Sequence, residues 1–188
     1  MKKVLAVLLA LVFCASAVFA LDNDDAVVRW KSIAGVTAGG NTHPPDGIGN
    51  PVGNCAPSPA PACLRSGNFP WSIRSGHASV NLSTGATSFE VEGLVINGSA
   101  VSGTPGPVTA VKGTLVCNAS FVSNGEVLDT TAVPLNVHGD AHFSGQIQNI
   151  PASCGNPLFL VRVVTPGGPE DNRWIATGIG RFIGEDGK

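Results

Sequence analysis

The most constraining feature of this chain is the run VPLNVHGDAHFSGQIQ at positions 133–148. Its odd positions are Val133, Leu135, Val137, Gly139, Ala141, Phe143, Gly145 and Ile147, all apolar or glycine. Its even positions are Pro134, Asn136, His138, Asp140, His142, Ser144, Gln146 and Gln148, all polar or proline. Alternation at period two marks extended chain with one buried face. A two-residue hairpin turn at Gly139-Asp140 would pair Val137 with His142 and mix the faces. The pattern therefore predicts one long strand kinked at Gly139.

Other stretches repeat the theme at shorter range. HASVNL (77–82) sets Ala78, Val80 and Leu82 on one face. GATSFEVEGLV (85–95) sets Phe89, Val91, Gly93 and Val95 against Ser88, Glu90 and Glu92. Thr84-Gly85 between them signals a hairpin. Near the front, Val28, Trp30, Ser32 and Ala34 alternate with Arg29, Lys31 and Ile33 in a weaker strand pattern. VTAVKGTLVC (108–117), LFLVRVV (158–164) and RWIATGIGRF (173–182) complete the series, and Pro105-Gly106 suits the centre of a type II turn. No segment holds a 3.6-residue period. Many short strands joined by turns predict an antiparallel β-sandwich of about seven to nine strands, with a closed β-barrel as the alternative.

The chain begins with Lys2 and Lys3, then runs apolar to Ala20, with small residues at Ala15, Ala17 and Ala20. That is a secretory signal, with cleavage expected after Ala20 and Ala17 as second choice. Residues 21–188 then form one domain, interrupted at 37–70 by an irregular excursion dense in Gly, Pro and Asn. Cleavage removes two lysines and no acids. Nine basic residues then face thirteen acidic ones, a net charge of about −4, which argues against nucleic acid as a partner. Cys14 leaves with the signal, and four cysteines remain: Cys55, Cys63, Cys117 and Cys154. An even number in an exported chain reads as disulfides. The expected pairs are Cys55–Cys63, around a proline-rich loop, and Cys117–Cys154, at the ends of apolar strands. A secreted or periplasmic, cell-envelope location follows, with no membrane span after cleavage.

The elements Pro70-Trp71, Gly93-Leu94-Val95, Gly103 to Gly106 (GTPG) and Val111 to Cys117 (VKGTLVC) occur together here. In this the chain resembles a group of uncharacterised exported bacterial all-β proteins. The likeness extends to GDAHFSG and RWIATG, about two thirds of the mature chain. It implies export and a shared fold, and it carries over no activity and no functional residue.

Spacing limits what the chemistry-bearing residues can do. His138, Asp140 and His142 share one face of the alternating run, and imidazole with carboxylate suits Zn or Cu. Neighbours on one strand face stand about 6.6 Å apart, so His138 and His142 are about 13 Å apart on a straight strand. Two adjacent members could share an ion by leaning together, all three only if Gly139 bends the strand sharply, and His77 would have to arrive from another strand to help. The chain has four histidines and no His-x-His pair, unlike a Cu/Zn superoxide dismutase. Glu90 and Glu92 have roughly the spacing of an inverting glycosidase pair, but they point the same way and cannot flank a substrate. No serine sits in G-x-S-x-G, oxidised cysteines offer no thiolate, and GIGNPVG lacks the strand-turn-helix of a nucleotide loop. Trp30, Trp71 and Trp174 lie among apolar strand residues, which suits core packing better than a sugar platform. Asn81, Asn97 and Asn118 begin N-x-Ser/Thr triplets, which matter only in a glycosylating host.

The expectation is a non-catalytic binding or structural module with no cofactor and a protein or small-molecule ligand that the sequence does not identify. The rival is a metal-binding protein or metal-dependent enzyme using His138, Asp140 and His142.

Overall fold

A computed structural model describes residues 26–37, 64–118, 125–168 and 171–184. The expected signal segment, most of the 37–70 excursion, and Cys55 and Cys63 lie outside the described residues. Every strand pairing is antiparallel. The strands are β1 (Val27–Gly35), β2 (Trp71–Ser72), β3 (Ser75–Asn81), β4 (Ala86–Glu92), β5 (Val95–Ile96), β6 (Ala110–Cys117), β7 (Glu126–Asp129), β8 (Val133–Pro134), β9 (Ala141–Gln146), β10 (Leu158–Val163) and β11 (Trp174–Ile183). Nine form one sheet in the order β7-β6-β10-β11-β1-β3-β4-β9, with β8 also on β6. β2 and β5 make a second, two-stranded sheet. The all-β antiparallel expectation is thus met, as a curled half-barrel with a small second sheet.

The curl is visible in the aromatic core. Phe89 on β4 and Phe159 on β10 are separated in the sheet by β3, β1 and β11. Yet their rings lie 5.6 Å apart, so the concave face closes on itself. Phe143 stacks on Phe89 at 5.7 Å, and Trp30 meets Phe159 at 5.5 Å. The four rings form a line across the interior, at spacings where aromatic pairs add to simple burial. Gly113 on β6 sits beneath it: a Cβ there would lie 2.8 Å from Phe159 Cζ and 2.9 Å from Phe89 Cδ1. The glycine makes room for the rings.

β4 follows its sequence pattern, with Thr87, Phe89 and Val91 buried and Ser88, Glu90 and Glu92 half-buried. β6 and β10 are buried on both faces, which explains their nearly continuous apolar runs. Their outer faces pack Val116 and Leu160 with Val36, Leu64 and Trp174. All three tryptophans are core residues, at 1–2% exposure.

The run at 133–148 is not one kinked strand. A turn at Asn136–Asp140 divides it, and Val137 is 79% exposed. Gly139 N–H donates to Asn136 C=O at 3.0 Å, and Asn136 N–H to Asp140 C=O at 3.1 Å. The Asn136 side-chain oxygen accepts from His138 N–H at 2.8 Å and Asp140 N–H at 2.9 Å. Gly139 takes φ 81°, the left-handed region glycine enters freely. A three-residue loop pairs even positions with even, so the alternation passes through the turn unbroken. Loops of even length mix the faces. Pro134 has no N–H with which to extend the ladder toward His142, and the arms part. β8 joins β6 and β9 joins β4. The turn therefore ties together the two ends of the curled sheet.

Two smaller expectations also shift. On β1 the residue buried with Val28 and Trp30 is Ile33, not Ser32 or Ala34. The face changes at Lys31, opposite Gly180, which has φ 65°. The Pro-Gly turn falls one residue later than read: Val108 N–H donates to Pro105 C=O at 3.3 Å, and Gly106, at φ 60°, leads its central pair. Pro107 has no N–H to close the earlier turn.

Candidate functional site

The structure takes His138, Asp140 and His142 apart. His138 is on the exposed tip of the 136–140 turn, while His142 is on β9. Asp140 is occupied as a clasp. Its Oδ1 accepts Gly93 N–H at 2.8 Å, and its Oδ2 accepts from Asn136 Nδ2 at 3.1 Å. Arg74 Nη2 approaches to 3.8 Å. The Gly93 bond first, then the Asn136 amide, hold its carboxyl below the usual aspartate range. Slight burial opposes them, and the Arg74 and His138 charges assist. Gly139 C=O also accepts Leu94 N–H at 2.8 Å, and a Cβ on Gly139 would collide with the Leu94 backbone. Asp140 and Gly139 thus anchor the turn to the end of β4. Among the described residues no group of three His, Cys, Asp or Glu side chains is placed to hold a metal ion.

Strand register instead aligns a different set. His77 pairs with Glu90 across β3–β4, and Glu90 pairs with His142 across β4–β9. All three belong to the outer face, since their neighbours Ala78, Phe89, Val91, Ala141 and Phe143 are buried. Next to this row stands another, Ser79, Ser88 and Ser144. The Ser79 and Ser88 hydroxyls share a 2.9 Å hydrogen bond. The rows lie on a rigid patch, because the opposite face of the same strands carries Phe89 and Phe143. Sequence reading missed the first row because its members are 13 and 52 positions apart, numbers that mean nothing without the register. The available signal was that all three sit opposite apolar residues in alternating segments.

Glu90 and Glu92 have different partners, so they are not a carboxylate pair in function. Glu92 Oε2 accepts from Ser75 Oγ at 2.9 Å and lies 3.5 Å from Arg74 Nη2. Glu90 lies between the two histidines.

A charged cluster absent from the sequence reading sits on the outer side of β6, β7 and β10. Asp129 Oδ2 lies 2.7 Å from Lys112 Nζ, and its Oδ1 accepts from Thr114 Oγ1 at 2.6 Å and Arg162 Nη1 at 3.1 Å. Arg162 is only 8% exposed, and its Nε donates to Asn172 C=O at 3.1 Å. Burial pushes the Asp129 carboxyl up, but the Lys112 and Thr114 bonds and the two cations outweigh it and hold it below the usual range. Each partner satisfies another, so the cluster cements three strands. Arg162 was legible as the single charge inside LFLVRVV.

Cys117 and Cys154 form the expected disulfide, with Cα atoms 4.7 Å apart. Asn118 closes the same joint. Its N–H donates to Gly155 C=O at 2.8 Å, its Oδ1 accepts Gly155 N–H at 2.8 Å, and its Nδ2 donates to Ser153 C=O at 3.0 Å. Of the three N-x-Ser/Thr asparagines, Asn118 and Asn81 have side chains engaged in turns, and Asn97 is exposed. No helix of the described residues is long and apolar enough to cross a membrane. No protein-family model, curated protein or solved structure matches the chain.

Proposed function

We propose that this protein is an exported, disulfide-bonded, non-catalytic binding module of a bacterial envelope or secretome, with the outer face of β3, β4 and β9 as its recognition surface. The observation that carries this reading is the pair of in-register polar rows, Ser79–Ser88–Ser144 and His77–Glu90–His142. Polar groups fixed on a rigid sheet lose little freedom on binding, which is the advantage of preorganisation. The charge cluster at Asp129 and the clasp at Asp140 are consumed by the fold, whereas the rows face outward. The Cys117–Cys154 bridge suits an oxidising compartment outside the cytoplasm.

The test begins with protein recovered from the medium or the envelope, whose amino-terminal sequence should open at Leu21. A retained Met1 there would rule out the export step. The mature protein is then sedimented with isolated envelope, both wild type and as the double variant Ser88→Lys, Ser144→Lys. Wild type should pellet and the variant should stay in solution. Equal sedimentation of the two, or none by wild type, would remove the recognition reading.

A further inference from the structure

We infer that the outer face of β11, β1, β3, β4 and β9 binds an anionic polysaccharide in which carboxylated rings alternate with neutral ones, laid across the strands. This rests on reading that face as the recognition surface, and it names the class of ligand.

The register places one continuous row across five strands. Phe182 pairs with Arg29 across β11–β1, Arg29 pairs with Ser79 across β1–β3, and the row continues through Ser88 and Ser144. Arg29 stands between the buried Val28 and Trp30, so it and its cross-strand partners belong to the outer face. Neighbouring strands lie about 4.8 Å apart, so the row spans about 19 Å. An extended chain of six-membered sugar rings advances by nearly one strand spacing per ring, so successive rings meet successive side chains.

The two ends of the row differ. At the β11–β1 end, Phe182 is 42% exposed, and Lys31 Nζ lies 4.0 Å from its ring centroid. Arg29 Nη1 donates to Gly184 C=O at 3.0 Å, which fixes the guanidinium at the end of β11. β1 and β11 carry Arg29, Lys31 and Arg181 and no acid, in a chain with more acids than bases. This end therefore takes a carboxylate, with the Phe182 ring against the apolar C–H face of a sugar. At the other end, three serine hydroxyls can donate to and accept from neutral sugar hydroxyls, and two of them already share a hydrogen bond. Glu90, next to Ser88 on the same face of β4, repels a second carboxylate there. A charged ring followed by a neutral one satisfies both ends.

The experiment titrates the purified mature protein by calorimetry with a hyaluronan hexasaccharide, whose glucuronate and N-acetylglucosamine rings alternate. Chitohexaose is the neutral counterpart, and phosphatidylglycerol vesicles are an anionic surface without sugar rings. The hexasaccharide should bind one-to-one, at least tenfold more tightly than chitohexaose, and more weakly as salt rises. Arg29→Gln should erase that preference, and Lys31→Gln should reduce it. Phe182→Ala should weaken both sugars alike. Glu90→Gln should let hexamannuronate, carboxylated on every ring, bind as tightly as the hexasaccharide. Arg65→Gln, beside Trp174 at the far end of β11, should change nothing. No hexasaccharide binding, equal binding of chitohexaose, or an equal loss with Arg65→Gln would overturn the site. Binding to the vesicles in place of the hexasaccharide would assign the face to a lipid surface and overturn it too. Hexasaccharide failure with envelope sedimentation intact would end this inference alone. Hexasaccharide binding with no sedimentation would sustain the site and end the envelope reading.

Discussion

Replacing Cys117 and Cys154 together with alanine tests what holds the end of β6 to the segment that leads into β10. The bridge joins residues 37 apart in sequence, and the chain-entropy relation for that loop gives about 13 cal/mol/K, or about 3.8 kcal/mol at 25 °C. Cys117 is fully buried, so losing its sulfur adds the cost of a small void, on the order of 1 kcal/mol. The three Asn118 hydrogen bonds join the same two segments in the folded state only. They do not constrain the unfolded chain, so they leave the entropic effect whole while keeping the joint in place without its bridge. The double variant should therefore fold to the same structure and lose about 5 kcal/mol, a large share of a typical 5–15 kcal/mol stability. Urea unfolding followed by tryptophan fluorescence reads this from midpoint and slope. The slope should rise, because the unfolded chain is less compact without the cross-link. A loss under about 1 kcal/mol would refute the reasoning, as would near-normal stability accompanied by a changed native structure.

Two further outcomes concern the core and the charge cluster. Gly113→Ala should destabilise by about 1–2 kcal/mol, because its methyl meets two rings locked in a four-ring line, and overpacking outweighs the entropy an alanine saves; unchanged or raised stability in urea would show that the rings yield. Asp129 has a carboxyl depressed in the folded state, so its contribution is present above the ordinary value of 3.8 and is lost as pH falls through the lower folded value. Asp129→Asn should cost about 2 kcal/mol at pH 7, between an exposed pair and a buried one, and should flatten the acid limb of a stability-against-pH curve; an unchanged acid limb would contradict the assignment.

How far the sequence reveals this molecule depends on which information is local. β4 was legible residue by residue, because one face is buried and the other is not. The buried tryptophans and the Cys117–Cys154 pair were legible for the same reason: apolar strands brought them into the core. The turn at Asn136–Asp140 was not, since an odd loop preserves the alternation that a strand also produces. The curl was not either, because nothing local says that Phe89 and Phe159 meet. The histidine row fared worst. Pairings of His77, Glu90 and His142 arise from the register of two separate strand pairs, and each register is set by core residues on the opposite face.

That last dependence explains why the candidate surface is separable from the fold. On β4 the odd residues Thr87, Phe89 and Val91 set the register, and the even residues Ser88 and Glu90 only ride on it. Changing the even set leaves the aromatic line and the disulfide joint untouched, and such surface substitutions usually shift stability by no more than about 0.5 kcal/mol. Asp140 is the exception on this side of the molecule, because its carboxylate fastens the turn to Gly93. A variant there mixes folding with function, whereas variants at Ser88, Glu90, His77 and His142 do not. Loss of envelope retention at those four positions, with urea midpoints unchanged, therefore reports on recognition and not on the scaffold.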